Sequence, residues 1–221
     1  MIFEMLKQKL ALLLRLSSAG LLICGLVVMP ALSQTLRLDI TEGQIAPIPL
    51  AIADFTGLDG VPSDVGRQIS QVISDDLVSS GLFTAIDSAA FIDPPTSPSL
   101  RPNFANWTPL GAKGLVVGSA FIDSDGLLQV EFALWDVVSQ RPITEGGGAA
   151  DQAGLRRIAH QIADFVYEEF TGDSAYFDTQ IVYVSESGPA ARRLKRLAIM
   201  DQDGHNHRFL TSGLDLVLTP R

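Results

Sequence analysis

The interpretation of the whole chain depends on residues 179–221, TQIVYVSESGPAARRLKRLAIMDQDGHNHRFLTSGLDLVLTPR. It contains four short apolar runs, at residues 180–185, 197–200, 208–210 and 214–218, and Asp203-Gly204 lies in a tight reversal between the middle two. Four short strands joined by tight turns are typical of one blade of a β-propeller. A single blade cannot bury both of its faces, because such repeats gain their core by stacking on neighbours. The sequence therefore predicts a complete first domain followed by the first blade of a truncated β-propeller.

The N-terminus predicts a signal peptide over residues 1–33. A basic segment precedes an uncharged, mostly apolar run at residues 16–29, and Pro30 interrupts it. The residues Ala-Leu-Ser that follow form a small-x-small cleavage site, so cleavage is predicted between Ser33 and Gln34. The alternative is a membrane anchor, but the apolar run is shorter than the about 20 residues that a spanning helix needs.

The cysteine content and the net charge limit the compartments in which the protein works and the partners that it binds. The only cysteine, Cys24, lies inside the apolar run, so the chain after cleavage would have none, which suits an oxidising compartment. Ile23 stands where a lipoprotein site needs a small residue, which argues against lipidation of Cys24. The formal net charge of -9 argues against nucleic-acid binding, which needs clustered basic residues.

The order of helical and strand patterns in residues 34–172 predicts an α/β (α+β) domain with a mixed sheet and two main helices. Helices are expected at residues 63–80, capped by Ser63 or Asp64, and at residues 155–170, where apolar residues recur at helical spacing. Apolar runs predict strands at residues 34–41, 47–55, 82–86, 114–122 and 127–138, the last two forming a hairpin. Because Pro47 and Pro49 cannot donate to a ladder, the sheet interior is expected to begin at Leu50. Residues 141–150 are expected to be a strand and a glycine-rich loop. Residues 173–175 are a linker, and the blade spans residues 176–221.

This order of segments resembles the TolB family of the Tol-Pal envelope system. The quoted features are LRLDITEG, PIPLAIADF, DDLVSSGLF, the hairpin LVVGSAFID with LLQVEFALWDV, IADFVYEEFTG, and the repeat FDTQIVYVSES with RLAIMDQDGHNHRFLT. The resemblance covers the whole chain after the signal peptide. The repeat, with its DxDGxN turn and trailing LT, is the most specific part of it.

The resemblance implies a periplasmic adaptor without catalysis or cofactor. In that family an α/β domain precedes a six-bladed propeller that binds the lipoprotein Pal, while the N-terminal segment binds the C-terminal domain of TolA. The system supports outer-membrane integrity and cell division. Because only one blade is present, most of the Pal-binding surface would be absent, and the chain is expected to be a fragment.

The segment expected to bind TolA alternates apolar and polar residues: Leu36, Arg37, Leu38, Asp39, Ile40 and Thr41. Two interpretations remain open for it. It is an edge strand of the domain, or it adds as a strand to the sheet of a partner, where main-chain hydrogen bonds supply affinity. The resemblance favours the second.

Several motifs with possible chemistry have structural explanations. Asp201-x-Asp203-Gly204-x-Asn206 lacks the spacing of a calcium loop, and turn capping explains both it and the turn at residues 123–126. His205 and His207 have no third zinc ligand in the sequence. His160 is expected on the second helix beside Ala159, as a boundary histidine and not a base, because no nucleophile motif supports catalysis. No metal or catalytic residue is therefore predicted.

A glycine run and a basic cluster also have structural explanations. Gly146-Gly147-Gly148 lacks the lysine of a phosphate loop and is expected to be loop. The basic cluster Arg192, Arg193, Lys195 and Arg196 is expected to be a solvated loop between two strands, with a docking patch for an acidic partner as the alternative.

An enzyme remains the alternative function. An exported hydrolase of the prolyl-oligopeptidase kind combines a propeller with a catalytic domain, which would lie outside these residues. The coding sequence beyond Arg221 discriminates between the two: five more repeats favour the adaptor, and a G-x-S-x-G motif favours the enzyme.

Overall fold

The computed structural model describes residues 46–213, and these form a mixed sheet with two helices and a separate small sheet. The elements of the first part are β1 (Ile48–Ile52), α1 (Asp64–Ser79), β2 (Phe83–Ala85), β3 (Gly114–Ile122), β4 (Leu128–Asp136), β5 (Arg141–Ala150) and α2 (Leu155–Thr171). The small sheet contains β6 (Gln180–Ser187), β7 (Leu194–Asp201) and β8 (Arg208–Phe209). The predicted segments 1–33, 34–41 and 214–218 lie outside the described residues.

The five-stranded sheet has the order β2-β1-β3-β4-β5. Strand β1 runs parallel to both β2 and β3, whereas β3, β4 and β5 are joined antiparallel. The mixed sheet and the two main helices predicted from the sequence are therefore confirmed. Strand β1 is an interior strand of the sheet, and it is buried from Leu50 onward, after the two prolines.

Both faces of this sheet are covered. One face packs Leu50, Val116 and Leu134 under the apolar stripes of α1 and α2. The other face packs Leu115, Val117 and Trp135 against Phe104 and Trp107, which lie in and beside two short 3-10 turns. On the face that packs under the helices, strand β4 buries alternate residues along its whole length. On the opposite face it buries residues only near its C-terminal end.

Close packing around Phe55 explains why two neighbouring positions are glycine and where α1 begins. The Ser63 hydroxyl accepts a hydrogen bond from the Gly66 N–H at 2.9 Å, which caps the helix as predicted. A Cβ on Gly66 would lie 1.9 Å from the Phe55 carbonyl oxygen. A Cβ on Gly118 would lie 2.2 Å from the Phe55 ring. The first turn of α1 and strand β3 can therefore approach Phe55 only because these positions have no side chain.

The expectation that Gly146-Gly147-Gly148 forms a loop is wrong. All three lie in β5 and pair with Phe132, Glu131 and Val130 of β4. A Cβ on Gly146 would lie 3.0 Å from the Phe132 ring, so the absence of side chains lets that ring lie over the strand. Backbone pairing to β4 holds the segment extended despite its weak strand propensity.

The small sheet is an antiparallel meander in the order β6-β7-β8. It contains three of the four strands expected for the blade, and the turn between β7 and β8 contains Gly204 with a positive φ of 86°. Arg192 lies in a 3-10 turn before β7, but Lys195 and Arg196 are part of β7, so the basic cluster is only partly the predicted loop.

Within residues 46–213, no helix combines the length and apolar character needed to cross a bilayer.

Candidate functional site

A buried Asp-His pair joins the two main helices. Asp76 of α1 and His160 of α2 are each only 2% exposed, and the carboxylate oxygen Oδ2 lies 2.6 Å from the imidazole Nδ1. Both positions lie on the apolar faces of their helices, Asp76 beside Leu77 and His160 beside Ala159. A buried charged group needs a partner, because removing it from water costs free energy that the partner must offset. The pair therefore fixes α1 against α2 at one position.

The turn after β7 completes this cluster from the meander. The Asp203 carboxylate lies 3.7 Å from His160 Nε2, so the imidazole lies between two carboxylates. The Arg156 guanidinium donates to the same Asp203 oxygen, and Gln202 donates its side-chain amide to Asp76 at 3.0 Å. We call Asp76, Arg156, His160, Gln202 and Asp203 the helix–meander joint. It connects three elements that are distant in the sequence.

The charges in the joint shift the acidity of its members. Burial, the largest single influence, lowers the pKa of His160, but the hydrogen bond and charge of Asp76 and the charge of Asp203 outweigh it, so the pKa of His160 is raised. Burial raises the pKa of Asp203, but the backbone N–H of His205 and the Arg156 guanidinium outweigh it, so the net pKa of Asp203 is lowered. Both shifts favour an imidazolium between two carboxylates.

The joint has the wrong geometry for a general base. A carboxylate that orients an imidazole is half of a hydrolytic triad, and the second nitrogen must then reach a nucleophile. Here Nε2 of His160 has no hydrogen-bond partner and faces the Asp203 carboxylate. Asp203 also bonds Arg156. The arrangement matches an ion-pair network that holds elements together.

A metal ion fits the joint poorly as well. Asp76, His160 and Asp203 each offer a ligand atom within 4.8 Å of the others. The two carboxylates, however, face opposite nitrogens of one ring, whereas a metal ion is bound by atoms that converge on one point. A guanidinium already neutralises Asp203. Protein groups therefore supply the charges that an ion would supply.

A polar cleft of about 720 Å³ lies beside the joint. It is bounded by the start of α2 and the meander, and its lining includes Arg157, His160, Asp178, Asp201 and Arg208. Arg157 reaches Asp178 at 3.3 Å. Basic and acidic groups are mixed along the walls, so the cleft has no dominant charge.

The other predicted polar motifs are structural in the described part of the chain. Asp123 accepts hydrogen bonds from the backbone of Asp125 and Leu127, which confirms turn capping there. His205 lies 3.3 Å from Asp203, whereas His207 packs on Phe209 with ring centroids 4.8 Å apart. The two histidines therefore have different environments.

Three residues of the basic cluster contact other side chains of the meander. Arg193 and Lys195 both pair with Glu186, at 3.2 and 2.8 Å, and the Arg196 guanidinium lies 3.4 Å from the centroid of the Phe209 ring. These contacts connect the three strands of the meander. The predicted partner segment, Leu36 to Thr41, and the cleavage site at Ser33 and Gln34 lie outside the described residues.

The sequence places His160 on the second helix as a boundary histidine, but it does not predict the joint. The structure buries His160 on the inner face of α2. The available signal was a pair of charged or polar residues, Asp76 and His160, at positions that continue apolar helical stripes. Such a pair on two amphipathic helices predicts a buried contact, but nothing in the spacing indicates that Asp203 joins it.

The fold and the joint define a mixed α/β domain that is fixed to a β-meander through a buried ion-pair network. Residues 36–143 match the family described as the TolB amino-terminal domain. The Tol-Pal system protein TolB of Paramagnetospirillum magneticum is 48% identical over 194 residues, which are 88% of this chain and 43% of that protein. The chain belongs to the TolB family.

A solved structure supports the fold. The crystal structure of TolB from Acinetobacter baumannii matches with a TM-score of 0.58 at 24% identity, over 75% of this chain and 39% of that one. The chain therefore spans less than half the length of both relatives.

Proposed function

We propose that this chain is the amino-terminal part of a non-catalytic adaptor of a Tol-Pal system that works in the periplasm. In this proposal residues 36–41 bind the C-terminal domain of TolA, and the propeller of the whole protein binds the lipoprotein Pal. The coupling would support outer-membrane integrity and cell division. The observation that carries the proposal is the family match over residues 36–143, which begins at the segment proposed to bind TolA.

The domain division follows from the same proposal. Residues 1–33 are the cleaved signal peptide, residues 34–172 the α/β domain, and residues 176–221 the first propeller blade. The meander of β6, β7 and β8 has the antiparallel order of a blade. The helix–meander joint supports a coupling role, because it is a charged and largely buried contact between the domain and the proposed blade.

The decisive experiment removes the proposed TolA-binding segment. Deleting residues 34–42 should abolish pull-down by the TolA C-terminal domain. The far-ultraviolet circular dichroism spectrum should keep its helical signal, because the described core begins after this segment. Unchanged pull-down would overturn the assignment of residues 36–41.

A finer variant distinguishes strand addition from a charge contact. Replacing Leu38 and Ile40 together with Asp should remove the apolar side chains that alternate along one face, and TolA binding should be lost. Replacing Arg37 and Asp39 together with Ser is the matched control and should retain most of the binding. The opposite ranking would contradict strand addition.

The Pal half of the proposal is tested on the whole gene product. A coding sequence that continues beyond Arg221 with five more repeats supports the adaptor. A G-x-S-x-G motif further on would instead place the chain in a propeller-containing hydrolase.

A further inference from the structure

Strand β5 is a long, open edge of the five-stranded sheet. It pairs with β4 on one side, and no other strand of residues 46–213 pairs with its second side. Alternate N–H and C=O groups of an antiparallel edge strand point away from its neighbour and can pair with another chain. The other edge, β2, has only three residues, whereas β5 has ten. Of the two edges, β5 is the one that offers room for an added strand.

An apolar groove follows this edge on its helix-facing side. Gly146 and Gly148 pair with Phe132 and Val130, which belong to the face that packs under α2. Because both glycines lack side chains, a groove of about 180 Å³ remains between β5 and α2. Phe165 of α2 is 51% exposed at this groove and stacks on Phe132 with ring centroids 6.0 Å apart.

The opposite side of the same edge is acidic. Glu145 and Glu131 are exposed and lie on the face away from the helices, since Glu145 pairs with Ala133 and Glu131 pairs with Gly147. They line a shallow cleft together with Pro98 and Ser99. Neither this cleft nor the apolar groove has a basic residue in its lining. The two faces of the edge therefore differ in chemistry.

We propose that β5 accepts an extended segment of a partner protein as a sixth strand. Successive side chains of a strand point to opposite faces, so the added strand would present apolar residues to the groove and residues between them to the two glutamates. Charge complementarity makes those intervening residues Lys or Arg. The partner segment is thus a strand of alternating apolar and basic residues. The proposal is argued from described residues alone and does not depend on the role proposed for residues 36–41.

The probe for this surface is an acetylated and amidated octapeptide of alternating Val and Lys. Added to the 15N-labelled full chain, it should shift the amide signals of β5 and of the residues around Phe165 in a saturable way. The same octapeptide with Glu in place of Lys should bind at least about tenfold more weakly, because its charges oppose Glu131 and Glu145. Equal binding of both peptides, or shifts centred away from β5, would overturn the proposal.

Gly148 provides a variant that fills the groove without disturbing the fold. A Cβ at this position meets no heavy atom within 4 Å, so Gly148→Val adds bulk only to the groove. We expect it to weaken binding of the Val–Lys peptide by about tenfold, the loss expected when one side chain no longer fits its pocket. Ala149→Val, which adds two methyl groups to the same strand on the opposite face, is the control and should bind nearly as the parent does.

A further pair of substitutions tests the two glutamates independently of the groove. Glu131→Lys combined with Glu145→Lys should reverse the preference, so that the Val–Glu peptide binds more tightly than the Val–Lys peptide. An unchanged preference would show that the glutamates do not select the partner. If the chain instead dimerises with increasing concentration and Gly148→Val abolishes the dimer while neither peptide binds, the edge is occupied by a second copy and the proposal fails.

Discussion

The α/β unit and the meander both contain strands with β-branched and aromatic residues, yet they bury very different amounts of apolar surface. The α/β unit buries Leu50, Val116 and Leu134 completely between its sheet and its helices. In the described part of the meander, Ala198 is the only fully buried apolar residue, while Val182 and Phe209 remain about two-fifths exposed. A sheet gains its stability when another layer covers each face. The difference shows that the meander relies on a few specific contacts to hold its position.

Those contacts are concentrated in the helix–meander joint and in the residues just before β6. Phe177 is fully buried against α2 in the core of the α/β unit, and its N–H donates to Asp164 at 2.7 Å. Asp203 and Gln202 reach the buried pair of Asp76 and His160. The α/β unit is thus stabilised by its own apolar core, whereas the meander is attached to it by polar groups and one buried ring, Phe177, at defined points.

The largest effect should come from the core. Phe55→Ala removes a fully buried ring that packs on Gly118, and it should destabilise the chain by about 3–5 kcal/mol, the range for buried aromatic residues. Urea unfolding followed by circular dichroism at the helix band measures the change. Leu58→Ala, in the same loop but at a 79% exposed side chain, should stay within about 0.5 kcal/mol. Equal effects would contradict the packing described around Phe55.

The next effect should come from the joint. His160→Ala leaves the Asp76 carboxylate buried without its main partner, which should cost about 3 kcal/mol, at the lower end for a broken buried pair because Gln202 still donates to Asp76. Hydrogen exchange should also accelerate at residues 201–205. His207→Ala is the control, since His207 lies outside the joint. If exchange at residues 201–205 stays the same in both variants, the joint does not hold the meander.

The joint also predicts a pH dependence. Because the pKa of His160 is raised in the folded chain, its contribution to stability is complete below the ordinary value of 6.5 and is lost as the pH rises through the raised value. The lowered pKa of Asp203 acts at the other end: its contribution is present above 3.8 and is lost as the pH falls through the lowered value. The joint should therefore be strongest between these two limits.

Titration of the His160 ring by NMR tests this. Wild-type His160 should titrate above 6.5, and Asp203→Asn should lower that pKa, because it removes one of the two negative charges that face the ring. Each unit of the pKa difference corresponds to about 1.4 kcal/mol. An unchanged pKa in the Asn variant would mean that Asp203 does not interact with the imidazole in solution.

The smallest effect should come from the surface of the meander, and one substitution made in both regions sharpens the comparison. Val182→Thr, at a side chain that is 41% exposed, should change stability by no more than about 0.5 kcal/mol. Val116→Thr places the same hydroxyl at a fully buried site and should cost about 1–3 kcal/mol. Thermal unfolding of both variants provides the measurement. Similar costs at the two sites would indicate that the meander is covered in solution.

Local features of the fold were predictable from the sequence. The burial of β1 from Leu50 follows from the two prolines before it, and the start of α1 follows from the Ser63 cap. The strand through Gly146 to Gly148 was not predictable, because glycine has a weak strand propensity and only the pairing to β4 extends it. The binding segment at residues 36–41 stays a prediction.

Apart from the glycine segment of β5, the sequence by itself determined which segments become helices and strands, since caps, turns and hydrophobic periodicity act over a few residues. Only the tertiary structure decided that Asp76, His160 and Asp203 meet, because Asp76 and His160 are 84 positions apart and Asp76 and Gln202 are 126 apart. Contacts at such separations depend on the angle and register at which α1, α2 and the turn after β7 pack. No local pattern encodes that geometry, although the cost of burying an unpaired charge requires that some partner be found.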